Sequence, residues 1–312
     1  MSFEPLVSVV IPVFNGERHL EACLGSVLGQ TYENIEVVVA DQASTDRSIE
    51  IIQSFADQRV RLLPRPTEQL DLHANWARGL AATTGELVKI VCHDDLLLPD
   101  CLTVQVELLR RHPTAVLVCC RRKIIDDEDR VLLKARGLGY LASSRDTRVI
   151  DARGLARACT RQGANLLGEP VGVLIRRSVL PHPLFDPRWR YTIDIDFYFR
   201  CLGENDAVLD RRVLCCFRVS SRQLSAVLAR SQAKELRAFL SELALRYPDD
   251  VSDSDVRLGM ARAELLARAR RTLYRQIRMR SLIASIRKPK TTGHGPPMGR
   301  VGHEVTSNNI GR

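Results

Sequence analysis

The sequence has no long apolar run and no secretory leader pattern. Its longest stretch without Asp, Glu, Lys or Arg is the 12 residues 5–16, whereas about 20 apolar residues are needed to cross a bilayer. The N-terminus also lacks the basic start, apolar centre and small-residue cleavage site of a signal peptide. These absences predict a chain that crosses no membrane and stays in the cytoplasm.

Cysteine and glycine patterns that mark common cofactor sites are missing as well. The nine cysteines make an odd number, and none stands in a CxxC or Cys/His spacing suited to zinc. We therefore expect reduced thiols that pack as small apolar side chains. Without GxGxxG or GxxxxGK[ST], neither a dinucleotide-binding Rossmann domain nor a P-loop is supported.

The positive charge is confined to one segment. The chain of 312 residues has a net charge of +9, yet residues 257–290 alone hold 11 Lys and Arg against the single acid Glu264. The remainder is therefore close to neutral. Because no recognised nucleic-acid-binding fold or interleaved aromatic residues accompany the basic segment, we expect no nucleic acid partner.

Hydrophobic periodicity predicts an α/β fold with a mostly parallel central sheet. The first 120 residues alternate short β-branched runs with helical patterns, which is typical of βαβ units. Strands are predicted at 7–13, 35–40, 60–63, 87–91, 115–120 and 172–176, with an extended segment at 208–217. Residues 121–170 are rich in charge and turns and predict an irregular lobe, and 193–203 predicts a helix.

Three pairs of carboxylates are candidates for chemistry. They are Asp41 with Asp46, Asp94 with Asp95, and Asp194 with Asp196. Each pair alone is also compatible with helix capping or solvent exposure. The first two pairs follow predicted strands of one sheet, however, and so can line a single crevice at its carboxyl edge. Carboxylate oxygens suit Mg²⁺ or Mn²⁺, which predicts a site for a nucleoside diphosphate held through a cation.

Several segments resemble, in order and spacing, the inverting glycosyltransferases of family 2, which have the GT-A fold. These segments are VVIPVFNG at 9–16, VADQASTD at 39–46, HANW at 73–76, CHDD at 92–95 and FDPRWRY at 185–191, followed by Asp194 and Asp196. The resemblance covers about residues 7–220. It implies an α/β GT-A catalytic domain with helices on both faces of the sheet.

The resemblance, taken with the composition, gives a domain plan. The catalytic domain would span 1–220, with a nucleotide-binding half at about 1–120 and an acceptor half at about 121–220. A helical extension would follow at 221–287, with a hinge at 249–255 before a basic amphipathic helix. Residues 288–312 lack apolar periodicity and are predicted to be a disordered tail.

The resemblance also implies the donor side of the site. The donor nucleotide would be bound by Pro12, Phe14, Asn15, Asp41, Asn75 and Asp94. The cation, Mn²⁺ or Mg²⁺, would be held by Asp94 and Asp95. Cys92 stands where the family's motif has its first acid, which leaves open which carboxylate contacts the metal.

On the acceptor side, Asp194 aligns with the family's catalytic base, although Ile193 replaces the Glu that precedes it. Trp189, Tyr191 and Asp196 are candidates for acceptor contact. For Trp189 and Tyr191, plain packing is an equal alternative. Arg218 is expected at the surface, with a phosphate contact as the alternative.

The function implied is metal-assisted transfer of a hexosyl or deoxyhexosyl group, with inversion, from a nucleotide-diphosphate donor to a glycan or lipid-linked glycan of a bacterial envelope pathway. Two alternatives stay open. One is a catalytically silent nucleotide-binding or scaffold protein, because Cys92 and Ile193 replace two acids. The other is a nucleotidyltransferase, which releases pyrophosphate instead of a nucleoside diphosphate.

The basic segment predicts an amphipathic helix. Leu258, Ala261, Leu265, Ala269, Leu273 and Ile277 recur every three or four residues, with arginines over much of the remainder. Such a helix suits an anionic membrane surface, which would place the protein on the inner face of the plasma membrane. Packing against the catalytic domain, or against a second subunit in an oligomer, is the equal alternative.

Overall fold

Within residues 4–136, 147–220 and 231–287, the part of the chain that the computed structural model describes, ten strands form one mixed sheet. The strands are β1 (Val7–Val13), β2 (Ile35–Asp41), β3 (Val60–Leu62), β4 (Leu87–Ile90), β5 (Leu96–Leu97), β6 (Ala115–Ile125), β7 (Val131–Arg136), β8 (Arg148–Asp151), β9 (Val173–Arg176) and β10 (Asp206–Arg218). Their order is β3-β2-β1-β4-β9-β6-β10-β5, with β7 beside β6 and β8 beside β10.

Helices pack on both faces of this sheet. Those in the described ranges are α1 (Leu20–Leu28), α2 (Ser48–Ser54), α3 (Leu72–Ala81), α4 (Cys101–Arg111), α5 (Ala152–Gln162), α6 (Ile193–Leu202), α7 (Gln232–Arg246) and α8 (Asp253–Arg287). None of them combines the length and apolarity needed to span a bilayer. All nine cysteines are free, as the sequence predicts.

The N-terminal half of the sheet forms as predicted because its strands are apolar on both faces. Strand β1 pairs in parallel with β2 on one side and with β4 on the other. Val9 and Ile11 point into the core beneath α1, and Val10 points into the opposite core with Leu80 of α3. Burial on both faces explains why this strand is apolar at every position except Ser8.

Residues 121–170 are more regular than predicted. Strand β6 continues to Ile125 instead of ending at residue 120, and β7, β8 and α5 all lie in or beside this segment. Charged residues hid the strand, since Arg122 is buried at a position where an apolar residue was expected. Helix α5 is capped by Asp151, whose side chain accepts a hydrogen bond from the Gly154 N–H at 2.8 Å.

The predicted hinge at 249–255 is wrong, because this segment is anchored to α5. Val251 and Asp255 are buried. The Asp255 carboxylate forms ion pairs with Arg157 at 3.2 Å and Arg161 at 2.7 Å. Asp255 of this segment therefore binds two arginines of α5, and Phe239 of α7 shares one core with Phe199 of α6.

Helix α8 packs through a different face from the predicted apolar stripe. Gly259, Ala263 and Ala267 are buried at steps of four residues, and Gly259 lies so close to the Thr160 carbonyl that a Cβ has no room. Leu265 of the predicted stripe is 67% exposed. The side chains of Leu273 and Ile277, and the predicted tail at 288–312, lie outside the described residues.

Candidate active site

The loops that follow β1, β2 and β4 meet at the carboxyl edge of the sheet. Val13, the last residue of β1, pairs with Asp41, the last residue of β2. The Val91 N–H donates to the Val10 carbonyl at 2.9 Å, which holds the loop after β4 beside β1. Open α/β sheets bind their ligands at this edge, which is where the sequence predicts the site.

Asn15 joins the first two loops. Its N–H donates to Ser44 Oγ at 2.9 Å, and its side-chain oxygen accepts a hydrogen bond from the Thr45 N–H at 2.9 Å. Asn15 has φ of 48°, a left-handed conformation that Asn tolerates better than most residues. Asp46 accepts hydrogen bonds from the Ser48 N–H and hydroxyl at the start of α2. Asp46 therefore orders the loop and is not aimed at a ligand.

Asp41 is fully buried and keeps one oxygen available. Its Oδ2 accepts a hydrogen bond from the Ser44 N–H at 3.0 Å. Its Oδ1 is buried with no hydrogen-bond partner among the described residues. An unmatched buried acceptor is costly, and an N–H or O–H of a ligand would satisfy it.

Asn75 supports this loop from α3. The residue is buried, its amide donates to the Ala40 carbonyl at 2.8 Å, and Arg78 donates to both the Asn75 side-chain oxygen and the Asp41 carbonyl. Asn75 thus holds the backbone beside Asp41, and its contact with the donor stays a prediction. Phe14, by contrast, is 39% exposed and presents its ring to solvent at the same edge.

Pro12 connects the first loop to the acidic loop. It is buried, and its carbonyl accepts a hydrogen bond from His93 Nδ1 at 3.3 Å. The His93 ring also fills the space where a Cβ on Gly16 would lie. His93 therefore packs between the first loop and the acidic loop, and Pro12 lies buried beneath them.

The acidic loop after β4 brings three candidate ligands together. The Asp95 N–H donates to the Cys92 carbonyl at 2.9 Å and closes a tight turn. One ligand atom from each of Cys92, Asp94 and Asp95 lies within 4.8 Å of the others. This arrangement matches the acidic motif predicted from the sequence.

Asp95 has the chemistry of a cation ligand. It is fully buried, its Oδ1 accepts from the Arg218 N–H at 2.9 Å, and its Oδ2 has no hydrogen-bond partner among the described residues. Burial, and then the charge of Asp94, raise the pKa of Asp95 well above its ordinary value, while the nearby Arg218 opposes the shift. A divalent cation at Oδ2 would stabilise the ionised form, so the residues fit Mg²⁺ or Mn²⁺.

Cys92 is a poor partner for such a cation. Burial, and then Asp95 and Asp94, raise the pKa of its thiol well above the ordinary value. The thiol is therefore protonated near neutral pH, and metals bind the thiolate. Hard cations prefer oxygen in any case, which leaves Asp94 and Asp95 as the ligands that fit.

Arg218 is the main site residue whose environment the sequence analysis missed. It is fully buried and not at the surface. Its guanidinium donates to the Asp94 carbonyl at 2.7 Å, to the Asp126 carbonyl at 2.6 Å and to Asp129 Oδ1 at 2.7 Å. Arg218 therefore fixes the acidic loop from the end of β10. Its position directly after the apolar run 213–217 was the only signal in the sequence.

Asp194 lies close to the acidic loop although it is 99 residues further along the chain than Asp95. Its Oδ2 accepts a hydrogen bond from Asn165 Nδ2 at 3.0 Å. Burial raises the pKa of Asp194 to about 6, with Arg122 among the groups that oppose the shift. Its charge contributes to the raised pKa of Cys92, so the predicted base and the predicted metal loop share one electrostatic environment.

The other acceptor-side candidates are engaged elsewhere. Asp196 is buried 3.8 Å from Arg200, and burial raises its pKa to about 6. Trp189 is buried with its ring edge-to-face on Phe239 of α7 at 5.6 Å, which favours packing over the equal alternative of stacking on a sugar. Tyr191 remains partly exposed, and its N–H donates to Glu235 at 2.6 Å.

Comparisons with known proteins agree with this geometry. A sequence profile described as Glycosyl transferase family 2 matches residues 8–171. An uncharacterized glycosyltransferase of Nostoc sp. is 29% identical over 280 residues, which cover 86% of this chain and 83% of the relative. An uncharacterized glycosyltransferase of Rickettsia typhi is 28% identical over 243 residues, covering 77% of this chain and 72% of the relative.

Solved structures with the same architecture are more distant in sequence. S. aureus TarS in complex with UDP-GlcNAc has a TM-score of 0.60 at 15% identity, covering 80% of this chain and 68% of that one. The mannosyltransferase PcManGT of Pyrobaculum calidifontis, in complex with GDP-Man and Mn²⁺, has a TM-score of 0.60 at 19% identity. The match covers 92% of this chain and 82% of PcManGT. The likeness establishes the GT-A fold.

Proposed function

We propose, since this chain belongs to the family 2 glycosyltransferases, that it moves a sugar from a nucleotide-diphosphate donor to a hydroxyl of a glycan or lipid-linked glycan with inversion. The observation that supports this proposal is that Asp194 and the acidic loop share one electrostatic environment. A buried Asp95 with an unmatched oxygen lies beside Asp94, and Asp194 with a raised pKa lies close by.

Asp41 is the proposed anchor for the nucleotide. Its buried Oδ1 accepts a hydrogen bond from an N–H of the base or a hydroxyl of the ribose. Phe14 offers an exposed ring for the base, and Asn15 fixes the loop between them. The nucleotide sugars bound by TarS and PcManGT, UDP-GlcNAc and GDP-Man, support a donor of this class.

Asp94 and Asp95 are the proposed cation ligands, and the Mn²⁺ in PcManGT supports this assignment. When bound, a cation at these residues neutralises the charge that develops on the leaving diphosphate. Arg218 keeps both ligands in place, because it binds the Asp94 carbonyl and the Asp95 carboxylate through separate N–H groups.

Asp194 is the proposed general base. It takes the proton of the acceptor hydroxyl while that oxygen attacks the anomeric carbon, and the bond from this carbon to the diphosphate oxygen breaks. Attack from the face opposite the leaving group inverts the anomeric centre. A pKa of about 6 leaves the carboxylate mostly ionised at pH 7 while keeping it close to the operating pH.

The proposed acceptor is a hydroxyl of an envelope glycan, and the proposed transferred group is a hexose or deoxyhexose. Tyr191 is the acceptor-side candidate that stays partly exposed. Asp196 lies two residues beyond the proposed base, where its pairing with Arg200 orders α6.

The function is tested first by donor binding. We expect one nucleotide sugar from a panel of UDP and GDP sugars to stabilise the protein by about 2.7 kcal/mol at 100 times its dissociation constant. The stabilisation is measured by thermal unfolding with Mn²⁺ and with a chelator, and we expect it only with the metal. If no nucleotide sugar shifts the unfolding temperature under either condition, the donor class is wrong.

The exposed side of α8 is the proposed contact with the inner face of the plasma membrane. Leu265, Ala261 and Ala269 are exposed there, beside the exposed Arg257 and Arg268. Each Arg near an anionic surface contributes about 1 kcal/mol. Leu265→Glu is therefore expected to weaken sedimentation with phosphatidylglycerol vesicles. Leu245→Glu on α7 is the control and is expected to bind vesicles like the wild type. Equal vesicle binding by the wild type and Leu265→Glu contradicts the contact.

A further inference from the structure

Asn165 lies in the turn between α5 and β9, and all the hydrogen-bonding groups of its side chain are used. Its Oδ1 accepts from the Leu167 N–H at 3.0 Å and from the Gly168 N–H at 3.1 Å. Its Nδ2 donates to the Gly168 carbonyl at 3.0 Å and to Asp194 Oδ2 at 3.0 Å. The turn thus reaches from its own backbone to the proposed base.

This pattern fixes which end of the amide faces Asp194. Backbone N–H groups only donate, so the atom that faces those of Leu167 and Gly168 must be the oxygen. The –NH₂ group is therefore directed to the carboxylate. This hydrogen bond stabilises the ionised carboxylate, because the –NH₂ group can donate to a carboxylate oxygen but cannot accept the proton of a neutral carboxyl.

The same turn also contacts Arg122, whose positive charge acts on Asp194. Gly168 has φ of 90°, and a Cβ on this residue would run into the Arg122 guanidinium. Glu169, the next residue, forms an ion pair with Arg122. Arg122 in turn is among the groups that lower the pKa of Asp194, so residues 165–169 organise two of the groups that act on this carboxylate, while the Ile195 N–H donates to its Oδ1 at 2.8 Å.

We propose that Asn165 is a positioning residue for the base, which orients the Asp194 carboxylate and stabilises its ionised form. This inference rests on the proposed function of Asp194. The groups whose charges act together with Asp194 are Arg122 of β6, the Cys92 thiol of the acidic loop and the Tyr198 hydroxyl on α6. Asn165 is the side chain of the turn that binds the carboxylate directly.

Asn165→Asp tests the inference with little change of shape. The variant keeps the oxygen that accepts from Leu167 and Gly168, but it replaces the donor by a second carboxylate oxygen about 3 Å from Asp194. Two carboxylates at this distance raise the pKa of one of them by about one to three units. We expect the acidic limb of the pH profile of kcat to move to higher pH by that amount. Activity is recovered at higher pH, and donor affinity is unchanged.

Asn205→Asp is the matched control, because its amide also donates to a carbonyl of its own turn, that of Leu202, at the far end of α6. We expect its acidic limb to coincide with that of the wild type. If Asn165→Asp does not fold, Asn165→Ser keeps an acceptor, removes the donor from Asp194 and is expected to give a smaller upward shift.

Two failures are distinguishable. If the wild type shows an acidic limb in its pH profile and neither Asn165 variant moves it, the positioning role is contradicted. If the variants lose kcat uniformly at every pH, Asn165 only stabilises the turn. Absence of transfer by the wild type at every pH contradicts the proposed function itself.

Discussion

Asp194→Asn is expected to lower kcat for sugar transfer by about 10²- to 10⁴-fold, the usual contribution of a general base. The amide keeps the shape of the carboxylate but cannot take the proton of the acceptor hydroxyl. Since Asp194 is not part of the acidic loop, donor and Mn²⁺ affinity are expected to stay at the wild-type level. Calorimetric titration of the donor and steady-state kinetics measure the two effects separately.

The same substitution is expected to leave the fold intact or to stabilise it. Burial raises the pKa of Asp194 from 3.8 to about 6, so the folded protein binds more protons than the unfolded chain between these values. Stability therefore falls as pH rises through this window. Because Asp194 is partly exposed, we expect Asn to recover about 1 kcal/mol at pH 7, which thermal unfolding measures.

Asp196→Asn is the control for the position of the base. Two residues along a helix turn the side chain by about 200°, and Asp196 pairs with Arg200. Its loss should harm transfer much less. Near-normal transfer by Asp194→Asn together with inactivity of Asp196→Asn would make Asp196 the base.

Asp95→Asn is expected to abolish the Mn²⁺ dependence of donor binding. The variant still accepts from the Arg218 N–H through its amide oxygen, but its –NH₂ occupies the place of the unmatched Oδ2 and repels a cation. Loss of groups that only support a metal ligand costs about 10- to 100-fold in metal affinity. We therefore expect loss of a ligand to weaken metal-dependent donor binding by at least about 100-fold.

Calorimetry with donor and Mn²⁺ measures this effect. Asp100→Asn is the matched control, because Asp100 is an exposed carboxylate five residues further along the same segment. Unchanged donor affinity and Mn²⁺ dependence in Asp95→Asn would show that the cation is not held by the acidic loop.

Most of the parallel half of the sheet was predictable because β1, β2 and β4 are largely buried on both faces. Every position of β1 is buried, and Ser8 is the one polar residue among its seven. Strand β6 was predicted too short because Arg121, Arg122 and Lys123 follow its apolar half. The burial of Arg122 depends on Glu169, 47 residues away, and no local pattern reveals such a partner.

The residues of the candidate site also divide into those that the sequence predicted and those that it did not. Asp41, Asp94, Asp95 and Asp194 were found because they follow strands or stand in segments that resemble the family. Arg218 and Asn165 were missed because their importance lies in contacts with distant residues. Helix α8 shows the same limit, since Gly259, Ala263 and Ala267 are buried whereas Leu265 is exposed.

The central claim is tested most directly by the phosphorus NMR spectrum of the products formed from the donor that binds, with Mn²⁺ present. We expect a nucleoside diphosphate to accumulate with the wild type, and far more slowly with Asp194→Asn and Asp95→Asn. Pyrophosphate in place of the nucleoside diphosphate would identify a nucleotidyltransferase. An unchanged donor spectrum, despite saturated binding and added glycan acceptors, would contradict catalysis and leave a nucleotide-binding protein.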